Sequence, residues 1–273
     1  MAATIKTKQE IEVLREGGGR LAGILKKIVS AAKPGLSTWE LDRLAEELIF
    51  EFGGRPSFKG YKGKRDPRPY PGSMCISVND EIVHAIPRQD KILKEGDVVG
   101  LDIGMWWPAN AASSFQLPAS SKRKNGLCTD MAVTIGIGEI SPEAERLIRA
   151  SREALDLGIR AVHPGARVGD LGYAIQKHLE AHNLGIIRNL AGHGVGYEVH
   201  EEPLIPNFGQ PHTGVELKEN MVIALEPMAT LGDWRVRLAD DGWTFKTVDG
   251  SLGAHFEHTL AVTKSGAEVL TVI

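Results

Sequence analysis

The strongest constraint on the fold is an internal duplication. Three features of the first half of the chain return in the second half in the same order: a Pro-Gly pair with a leucine six residues after the glycine, an apolar run that ends in an acid, and an apolar run that begins with one. Each half therefore runs helix, Pro-Gly turn, helix and then strands. The aligned segments are 34–41 with 164–171, 93–102 with 217–226, and 130–134 with 257–263.

The distance between the copies decides what kind of duplication this is. The offsets are 130 residues from Pro34 to Pro164 and 124 residues from Leu93 to Leu217. Solenoid repeats recur every ~20–50 residues and many times, so one duplication at this distance is not a repeat array. It predicts an α+β fold whose two halves share one sheet.

Hydrophobic periodicity and turn residues predict the local structure. Residues 53–72, rich in glycine, proline and basic residues, are predicted as a loop, and residues 105–126 as irregular chain. The predicted helices are 7–33, 37–52, 142–162 and 167–182. The predicted strands are 75–78, 82–84, 98–103, 131–137, 186–190, 221–225, 244–248 and 258–263.

Charge, cysteine content and hydropathy exclude several classes of protein. With 32 Lys and Arg against 35 Asp and Glu, the formal charge is −3, whereas a dedicated nucleic-acid-binding domain is usually strongly basic. Cys75 and Cys128 are the only cysteines, too few for a disulfide framework or a cysteine-based zinc site. No run approaches the roughly 18 apolar residues of a membrane span, and the first ten residues do not resemble a signal peptide. A cytoplasmic location is predicted.

The duplication also aligns four acids in pairs. Asp102 aligns with Glu226 and Asp130 with Glu257, and each lies in or beside an apolar strand-like run. A single acid in such a place is most often half of a salt bridge, because a buried charge is costly without a partner. Four acids related by a pseudo-twofold would meet at the centre of the shared sheet, where they cannot all stay ionised without cations. The pattern predicts two divalent metal ions.

A glycine-flanked histidine offers a nitrogen ligand. His193 lies in segment 192–196 (Gly-His-Gly-Val-Gly), and His200 follows seven residues later. A tight turn with an incidental histidine is an equally good interpretation of this segment alone. The segment lacks the spacing of a dinucleotide fingerprint, and His200 does not begin an HExxH zinc motif because residue 204 is leucine. The sequence contains no GxSxG motif and no Walker loop.

Six short motifs lie along the chain in a specific order. They are 84–87 (His-Ala-Ile-Pro), 101–104 (Leu-Asp-Ile-Gly), 128–132 (Cys-Thr-Asp-Met-Ala), 192–196 with 200–203 (His-Glu-Glu-Pro), 226–228 (Glu-Pro-Met) and 256–259 (Phe-Glu-His-Thr). Together they resemble the type I methionine aminopeptidases, and the resemblance extends from about Ile11 to the C-terminus. It implies the duplicated pita-bread fold of aminopeptidases and creatinase, with a curved antiparallel central sheet. The expectation is a single catalytic domain over residues 1–273, with halves of about 11–138 and 141–271.

The resemblance implies a metal-dependent hydrolase that removes the N-terminal methionine from nascent proteins and peptides when the next residue is small. Five residues match the family's ligands. Asp130 and Glu257 would bridge two ions, His193 and Glu226 would complete one, and Asp102 would chelate the other. Oxygen ligands with one imidazole suit Mn, Fe, Co or Zn, and the sequence does not select among them.

The same resemblance implies three catalytic residues. Glu226 would shuttle a proton from the nucleophilic water to the leaving amine. His200 would donate a hydrogen bond to the carbonyl oxygen as it becomes an oxyanion. His84 would hold the peptide beyond the cut bond. The free α-amine of the substrate would meet the ion held by Asp102, which accounts for cleavage at N-termini.

The match also extends to a substrate pocket. Besides His84 and His200, six residues align with the family's methionine pocket, although ordinary core packing would account for them as well. Cys75 is expected to be a pocket wall and not a nucleophile, because no base is implied beside it. The six are Phe58, Tyr61, Tyr70, Cys75, Val199 and Trp243.

The sequence departs from the family pattern in two segments. Asp102 and Asp130 are 28 residues apart, whereas the family joins these ligands by a short hairpin. We expect the added segment, 105–126, to fold over the rim of the site. A solvated loop without function is one alternative, and contact with ribosomal RNA through this segment and the enlarged basic loop at 62–70 is another. The distinctive residues of segment 105–126 are Trp106, Trp107, Phe115, Leu117 and the basic run 122–124.

Two other functions remain open on the sequence alone. A proline-directed aminopeptidase or dipeptidase shares the fold and the ligand set, and a non-catalytic member of the fold would bind ribosome or RNA. The intact ligand set favours catalysis, and segments 226–228 and 241–244 favour the methionine enzymes. The expected partners are peptide and nascent-chain N-termini, with a transient ribosome contact and no membrane, for a monomeric protein.

Overall fold

Four helices and fifteen strands lie along the residues that the computed structural model describes, which are 3–63, 68–109 and 126–272. Each predicted helix is confirmed to within two residues at either end. The helices are α1 (Lys8–Ala31), α2 (Thr38–Glu51), α3 (Pro142–Arg160) and α4 (Val168–Ala181). The strands are β1 (Arg55–Pro56), β2 (Met74–Val78), β3 (Glu81–Val83), β4 (Val98–Trp107), β5 (Leu127–Gly136), β6 (Gly185–Ile186), β7 (Ala191–Gly194), β8 (Glu201–Pro206), β9 (Val222–Leu225), β10 (Met228–Thr230), β11 (Val236–Leu238), β12 (Phe245–Thr247), β13 (Gly253–His255), β14 (Glu257–Thr263) and β15 (Gly266–Val269).

Three of the four helices of the described residues begin at a residue whose side chain caps a free backbone N–H group. At α1, Thr7 accepts from the backbone N–H of Glu10, and the Glu10 carboxylate accepts from the backbone N–H of Thr7 at 2.8 Å. Ser37 and Glu40 form the same capping box at α2. Ser141 caps α3, which begins at a proline. Such caps contribute about 1 kcal/mol each and fix where the chain turns into a helix.

One large antiparallel sheet holds the two halves together. Over the described residues its strand order is β1-β4-β5-β14-β9-β7-β8, with β2 paired to β4 and β15 paired to β14. β5 and β14 meet at the centre, where Ala132 lies opposite Glu257. α1 packs against β4 and β5, and α3 packs against β9 and β15, so each half has its own apolar core between helices and sheet.

The two halves repeat their backbone contacts at the offsets seen in the sequence. The N–H of Gly35 donates to the carbonyl of Leu93, and the N–H of Gly165 donates to the carbonyl of Leu217, both at 2.9 Å. Both glycines have a φ of 91°, a conformation that side chains with a Cβ rarely adopt. The duplicated α+β organisation predicted from the sequence is therefore confirmed. The assignment of one catalytic domain stays a prediction.

The prediction of irregular chain over 105–126 is wrong at its beginning. β4 continues through Trp106 and Trp107, which pair with Cys128 and Leu127 across the β4–β5 ladder. Both tryptophan side chains are buried in the core, and the Arg20 guanidinium lies 5.0 Å from the Trp107 ring centre. The tryptophans therefore stabilise the sheet and do not form a flap. The remaining residues of the expected flap, 110–125, lie outside the described residues, as do residues 64–67 of the basic loop.

Several strand predictions also need correction. The predicted strand 186–190 is only Gly185–Ile186, and residues 191–194, for which a tight turn was one of two interpretations, form the strand β7. Seven strands of the described residues are not predicted, because each is short and lacks a β-branched run: β1, which lies in the predicted loop 53–72, and β7, β8, β10, β11, β13 and β15. No helix of the described residues is long and apolar enough to cross a membrane.

Candidate metal centre and active-site cavity

Sheet register brings the four predicted acids to one face. Asp102 on β4 lies opposite Ala132 on β5, and Ala132 lies opposite Glu257 on β14. Residues opposite each other share a face, and so do residues two apart on one strand, so Asp130 joins this face. Glu226 directly follows β9, whose last residue pairs with the residue after Glu257. The pseudo-twofold thus places one acid from each of four neighbouring chain segments around the β5–β14 centre.

β7 adds His193 to the same face. His193 lies opposite Ala224, two residues before Glu226, and one of its ring nitrogens, Nε2, lies 3.5 Å from a Glu226 oxygen. Its other nitrogen, Nδ1, lies 2.9 Å from the carbonyl oxygen of Gly194. A carbonyl only accepts, so Nδ1 carries the proton and Nε2 presents its lone pair to the centre.

The glycines beside His193 are explained by strand packing. A Cβ on Gly192 would lie 2.5 Å from the carbonyl oxygen of Ala224, and a Cβ on Gly194 would lie 2.3 Å from that of Glu202. Any larger residue would push β7 away from β9 or β8. Close strand packing therefore requires glycine on both sides of His193.

The five side chains fit a site for divalent cations. Donor atoms of Asp130, His193 and Glu257 lie within 4.8 Å of one another. One oxygen each of Asp102, Asp130 and Glu257 is buried and has no hydrogen-bond partner among the described residues. Buried carboxylate oxygens are normally satisfied, so unsatisfied ones facing each other are what a bound cation would compensate. Oxygen donors with one imidazole suit borderline divalent metals.

The electrostatics of the centre lead to the same conclusion. Burial, together with the neighbouring carboxylates, raises the pKa of Asp130 and of Glu257 well above the usual range. Burial and Glu226 raise the pKa of Asp102 to about 7. Burial raises the pKa of Glu226, although His255 lowers it in part. At neutral pH these acids would resist ionisation, and positive charge between them would restore it.

His255 is a neighbour of the centre that the sequence analysis missed. It is buried at the end of β13, and its Nε2 lies 3.3 Å from a Glu226 oxygen. Burial lowers the pKa of His255, but the Glu226 carboxylate outweighs it and raises the pKa overall. Thr134 fixes the backbone of His255 by bonding both its N–H and its carbonyl. Its position two residues before Glu257 was the available signal.

His200 and His84 lie at the cavity beside the centre. The His200 ring meets the edge of the His193 ring at a centroid distance of 4.4 Å, and its Nδ1 lies 2.8 Å from the Tyr61 hydroxyl. Enclosure by the surrounding protein, together with His200 and His255, lowers the pKa of His84 to about 3. His84 is therefore neutral at physiological pH and can both donate and accept hydrogen bonds.

All predicted site residues line one cavity of about 690 Å³. The five candidate ligands and both histidines form its polar end. Its apolar wall includes Tyr70, whose ring meets Trp243 edge to face at 5.2 Å and whose hydroxyl lies 2.8 Å from the carbonyl of Ala85. The structure adds Leu190, Leu238 and Phe245 to the lining. The predicted wall residues found there are Phe58, Tyr61, Tyr70, Cys75, Val199 and Trp243.

Cys75 has the environment of a wall residue. It lies on β2 directly opposite Asp102 and is buried. Burial and the Asp102 charge raise the pKa of its thiol well above the usual range. A thiol of this kind stays protonated at neutral pH and is a poor nucleophile.

A buried ion pair supports the loop that carries His200. Lys6 is fully buried and its ammonium donates to a Glu201 carboxylate oxygen at 2.8 Å, while lying 4.3 Å from the centre of the Tyr197 ring. The other Glu201 oxygen accepts from the backbone N–H groups of Tyr197 and Glu198. Burial raises the pKa of Glu201, but Lys6 holds it below its usual value overall. The segment before α1 is thereby tied to the residue next to His200.

We expect Lys6→Met to destabilise the protein by about 3–5 kcal/mol at pH 7, because it leaves a buried carboxylate without its cation. The lowered pKa of Glu201 gives stability that is present above about pH 4.3 and is lost as the pH falls through the folded-state pKa. In Lys6→Met burial without the cation raises the pKa of Glu201 instead, so protonation below pH 7 relieves the variant, and the difference between Lys6→Met and wild type should shrink between pH 7 and pH 4. Urea unfolding at both pH values measures it.

Lys8→Met is the matched control for this variant. Lys8 is exposed on the first turn of α1, two residues from Lys6, and its loss should change the free energy of unfolding by less than about 0.5 kcal/mol. Equal effects of the two substitutions would contradict a structural role for the Lys6–Glu201 pair.

A sheet that gathers buried carboxylates and an imidazole beneath a cavity defines a metal-dependent peptide hydrolase, and the chain belongs to metallopeptidase family M24. The family model matches residues 12–115 and 119–264. As a member of this family the chain is a hydrolase that binds divalent metal. Of the curated relatives, the methionine aminopeptidase of Clostridium perfringens is 40% identical over 98% of both chains. Methionine aminopeptidase 1 of Bacillus subtilis is 40% identical over 97% of this chain and 98% of that one.

Solved structures also match this chain. The crystal structure of methionine aminopeptidase from Thermotoga maritima has a TM-score of 0.89 at 40% identity and covers all of both chains. The prolidase of Pyrococcus furiosus has a TM-score of 0.72 at 21% identity over 98% of this chain and 65% of that one, which shows the shared fold alone. The resemblance drawn from six motifs and the predicted pita-bread fold are therefore confirmed.

Proposed function

We propose that this protein removes the N-terminal methionine from peptides and nascent proteins when the second residue is small. The observation that carries the proposal is a set of four carboxylates and one imidazole, all buried except the half-buried Glu226, at the polar end of an apolar cavity. The relatives named methionine aminopeptidase match along nearly the whole chain, which supports methionine over proline specificity. The proline-directed alternative has support from the fold alone.

We further propose two divalent ions in this centre. Asp130 and Glu257 would be shared between them, His193 and Glu226 would complete one, and Asp102 the other. When bound, the ions supply positive charge that keeps the carboxylates ionised, polarises a peptide carbonyl and lowers the pKa of a water molecule. Mn, Fe, Co and Zn all suit these ligands.

Three side chains would move or hold protons. Glu226 would accept a proton from the attacking water and pass it to the leaving amine, and its proximity to both His193 and His255 supports a precise orientation. His200 would donate from Nε2 to the carbonyl oxygen, with the Tyr61 hydroxyl donating to its Nδ1. His84 would hold the peptide beyond the cut bond, and its lowered pKa keeps it neutral.

The apolar wall would select the first residue of the substrate. A methionine side chain is unbranched and adapts to an irregular slot, and Phe58, Cys75 and Trp243 offer such a lining. The substrates would be N-termini of nascent chains in the cytoplasm. A transient ribosome contact and a monomeric state stay predictions.

Peptide turnover tests the proposed specificity. We expect release of methionine from Met-Ala-Ser and Met-Gly-Ser, no measurable release from Met-Lys-Ser or Met-Phe-Ser, and no cleavage of Ala-Pro peptides. Chelator-treated protein, reloaded separately with each of four metals, should be assayed by quantifying free methionine. Cleavage of Ala-Pro peptides at a higher kcat/KM than Met-Ala-Ser would overturn the proposal in favour of the proline-directed activity.

A further inference from the structure

A second group of metal-binding side chains lies on the helices of the second half, outside the centre described above. Glu153 projects from α3, and His178 and His182 lie at the C-terminal end of α4. One donor atom from each lies within 4.8 Å of those of the other two. We name these three residues the helix-end cluster. All three are half-buried, so the cluster is open to solvent on one side.

The contact between His178 and Glu153 has metal-like geometry. His178 Nε2 lies 3.2 Å from a Glu153 oxygen. That nitrogen is buried and forms no hydrogen bond with the described residues, so the close approach is misaligned for a hydrogen bond. Two ligands at about 2.0–2.1 Å from a tetrahedral ion lie about 3.3–3.4 Å apart. The two donors thus stand close to the spacing that a shared ion requires.

His182 is oriented for the same task. Its Nδ1 lies 2.9 Å from the carbonyl oxygen of His178, one helical turn earlier. Because a carbonyl cannot donate, Nδ1 carries the proton and Nε2 keeps its lone pair. Metal-ligating histidines typically donate their other N–H to a carbonyl in this way. The rings of His178 and His182 lie with their centroids 4.4 Å apart, so their nitrogens can converge on one ion.

We propose that the helix-end cluster binds one divalent transition-metal ion of the zinc, nickel or copper type. Two imidazoles and one carboxylate favour these ions over magnesium or calcium, which prefer oxygen ligands alone. Three protein ligands leave the fourth position to water on the solvent side. The ion joins α3 to the end of α4, so it stabilises this helix pair. The site is independent of the proposed aminopeptidase activity.

Zinc stoichiometry tests this site. Four proteins are compared: wild type, Glu257→Ala, and each of these with the two substitutions His178→Gln and His182→Gln. Each protein is stripped with chelator and dialysed against ZnCl₂. The histidine substitutions should remove one equivalent of bound zinc both from wild type and from Glu257→Ala. In the protein that retains Glu257 they should leave methionine release unchanged. Zinc should also raise the melting temperature of Glu257→Ala more than that of its histidine variant.

A histidine outside the helix-end cluster provides the control for zinc binding. His163→Gln removes an exposed histidine of the same half and should remove no zinc. Glu153→Gln is a milder change on α3 and should also remove one equivalent of bound zinc. This variant tests the site even if the double histidine variant folds poorly. Equal zinc content with and without the histidine pair, in folded protein, would overturn the proposal and leave an ion pair between His178 and Glu153.

Discussion

An enzyme with glutamine in place of Glu257 is expected to lose most of its bound metal and activity, yet to be more stable than wild type when both are metal-free. Glu257 lies on the central strand β14, with one carboxylate oxygen buried and unpaired among the described residues. Burial and the charges of Asp130, Glu226 and Asp102 raise its pKa well above the usual value. Glu257 therefore destabilises the metal-free fold at neutral pH, because its carboxyl group must either ionise in a buried site or take up a proton on folding.

The sign of this effect follows from linkage. A raised folded-state pKa gives stability that is complete below the unfolded value of about 4.3 and is lost as the pH rises through the folded value. Glutamine keeps the shape and has no carboxyl group to ionise, so metal-free Glu257→Gln should be more stable than metal-free wild type at pH 7. With metal present the order should reverse, because wild type alone gains the full binding energy.

Three measurements establish the prediction. Metal content after dialysis should fall. Methionine release should fall more than about 100-fold, which exceeds the usual loss on substitution of a residue that only supports a metal ligand. Calorimetry in chelator should show that the variant is more stable than wild type at pH 7 and that this difference shrinks towards pH 4. Glu47→Gln, an exposed acid on α2, serves as the control and should change none of these. Full metal content and activity in Glu257→Gln would contradict a metal centre at β14.

The sequence predicts the centre well because its geometry follows from strand alternation and the duplication. Asp102, Asp130 and Glu257 lie on strands whose register puts them on one face, and the aligned copies supply both sides of the pseudo-twofold. His193 was identified by its glycine neighbours and motif, although the glycines serve close strand packing. In these places local pattern and tertiary position coincide, so pattern alone suffices.

Other features depend on contacts between distant segments. Lys6 precedes α1 and would be expected in solvent, yet it pairs with Glu201, 195 residues away. His255 is the last residue of the three-residue strand β13, which has no apolar pattern of its own, so its approach to Glu226 is visible only in the folded chain. Trp106 and Trp107 extend β4 beyond the apolar run that predicted it, because the partner strand β5 continues alongside. Intrinsic β-propensity does not predict strand residues that form because they pair with another part of the chain.

His200→Ala should separate catalysis from metal binding. His200 meets the edge of the His193 ring and is bonded to Tyr61, but in the proposed roles it holds no ion. Loss of one donor to a developing oxyanion usually lowers kcat by about 10²–10³, so we expect that loss with metal content unchanged. His193→Ala, the matched comparison, should lose both.

Two further variants decide whether His200 acts as a donor and how Tyr61 serves it. His200→Gln keeps an N–H and should recover part of the kcat lost in His200→Ala, whereas a purely steric role would not distinguish them. Tyr61→Phe removes the hydroxyl 2.8 Å from His200 Nδ1 and frees the ring to adopt the other tautomer, so kcat should fall while KM changes little. Metal content and steady-state kinetics on Met-Ala-Ser measure both. A metal loss in His200→Ala as large as in His193→Ala would make His200 a ligand, because a donor to the carbonyl oxygen has no effect on an ion bound before substrate arrives.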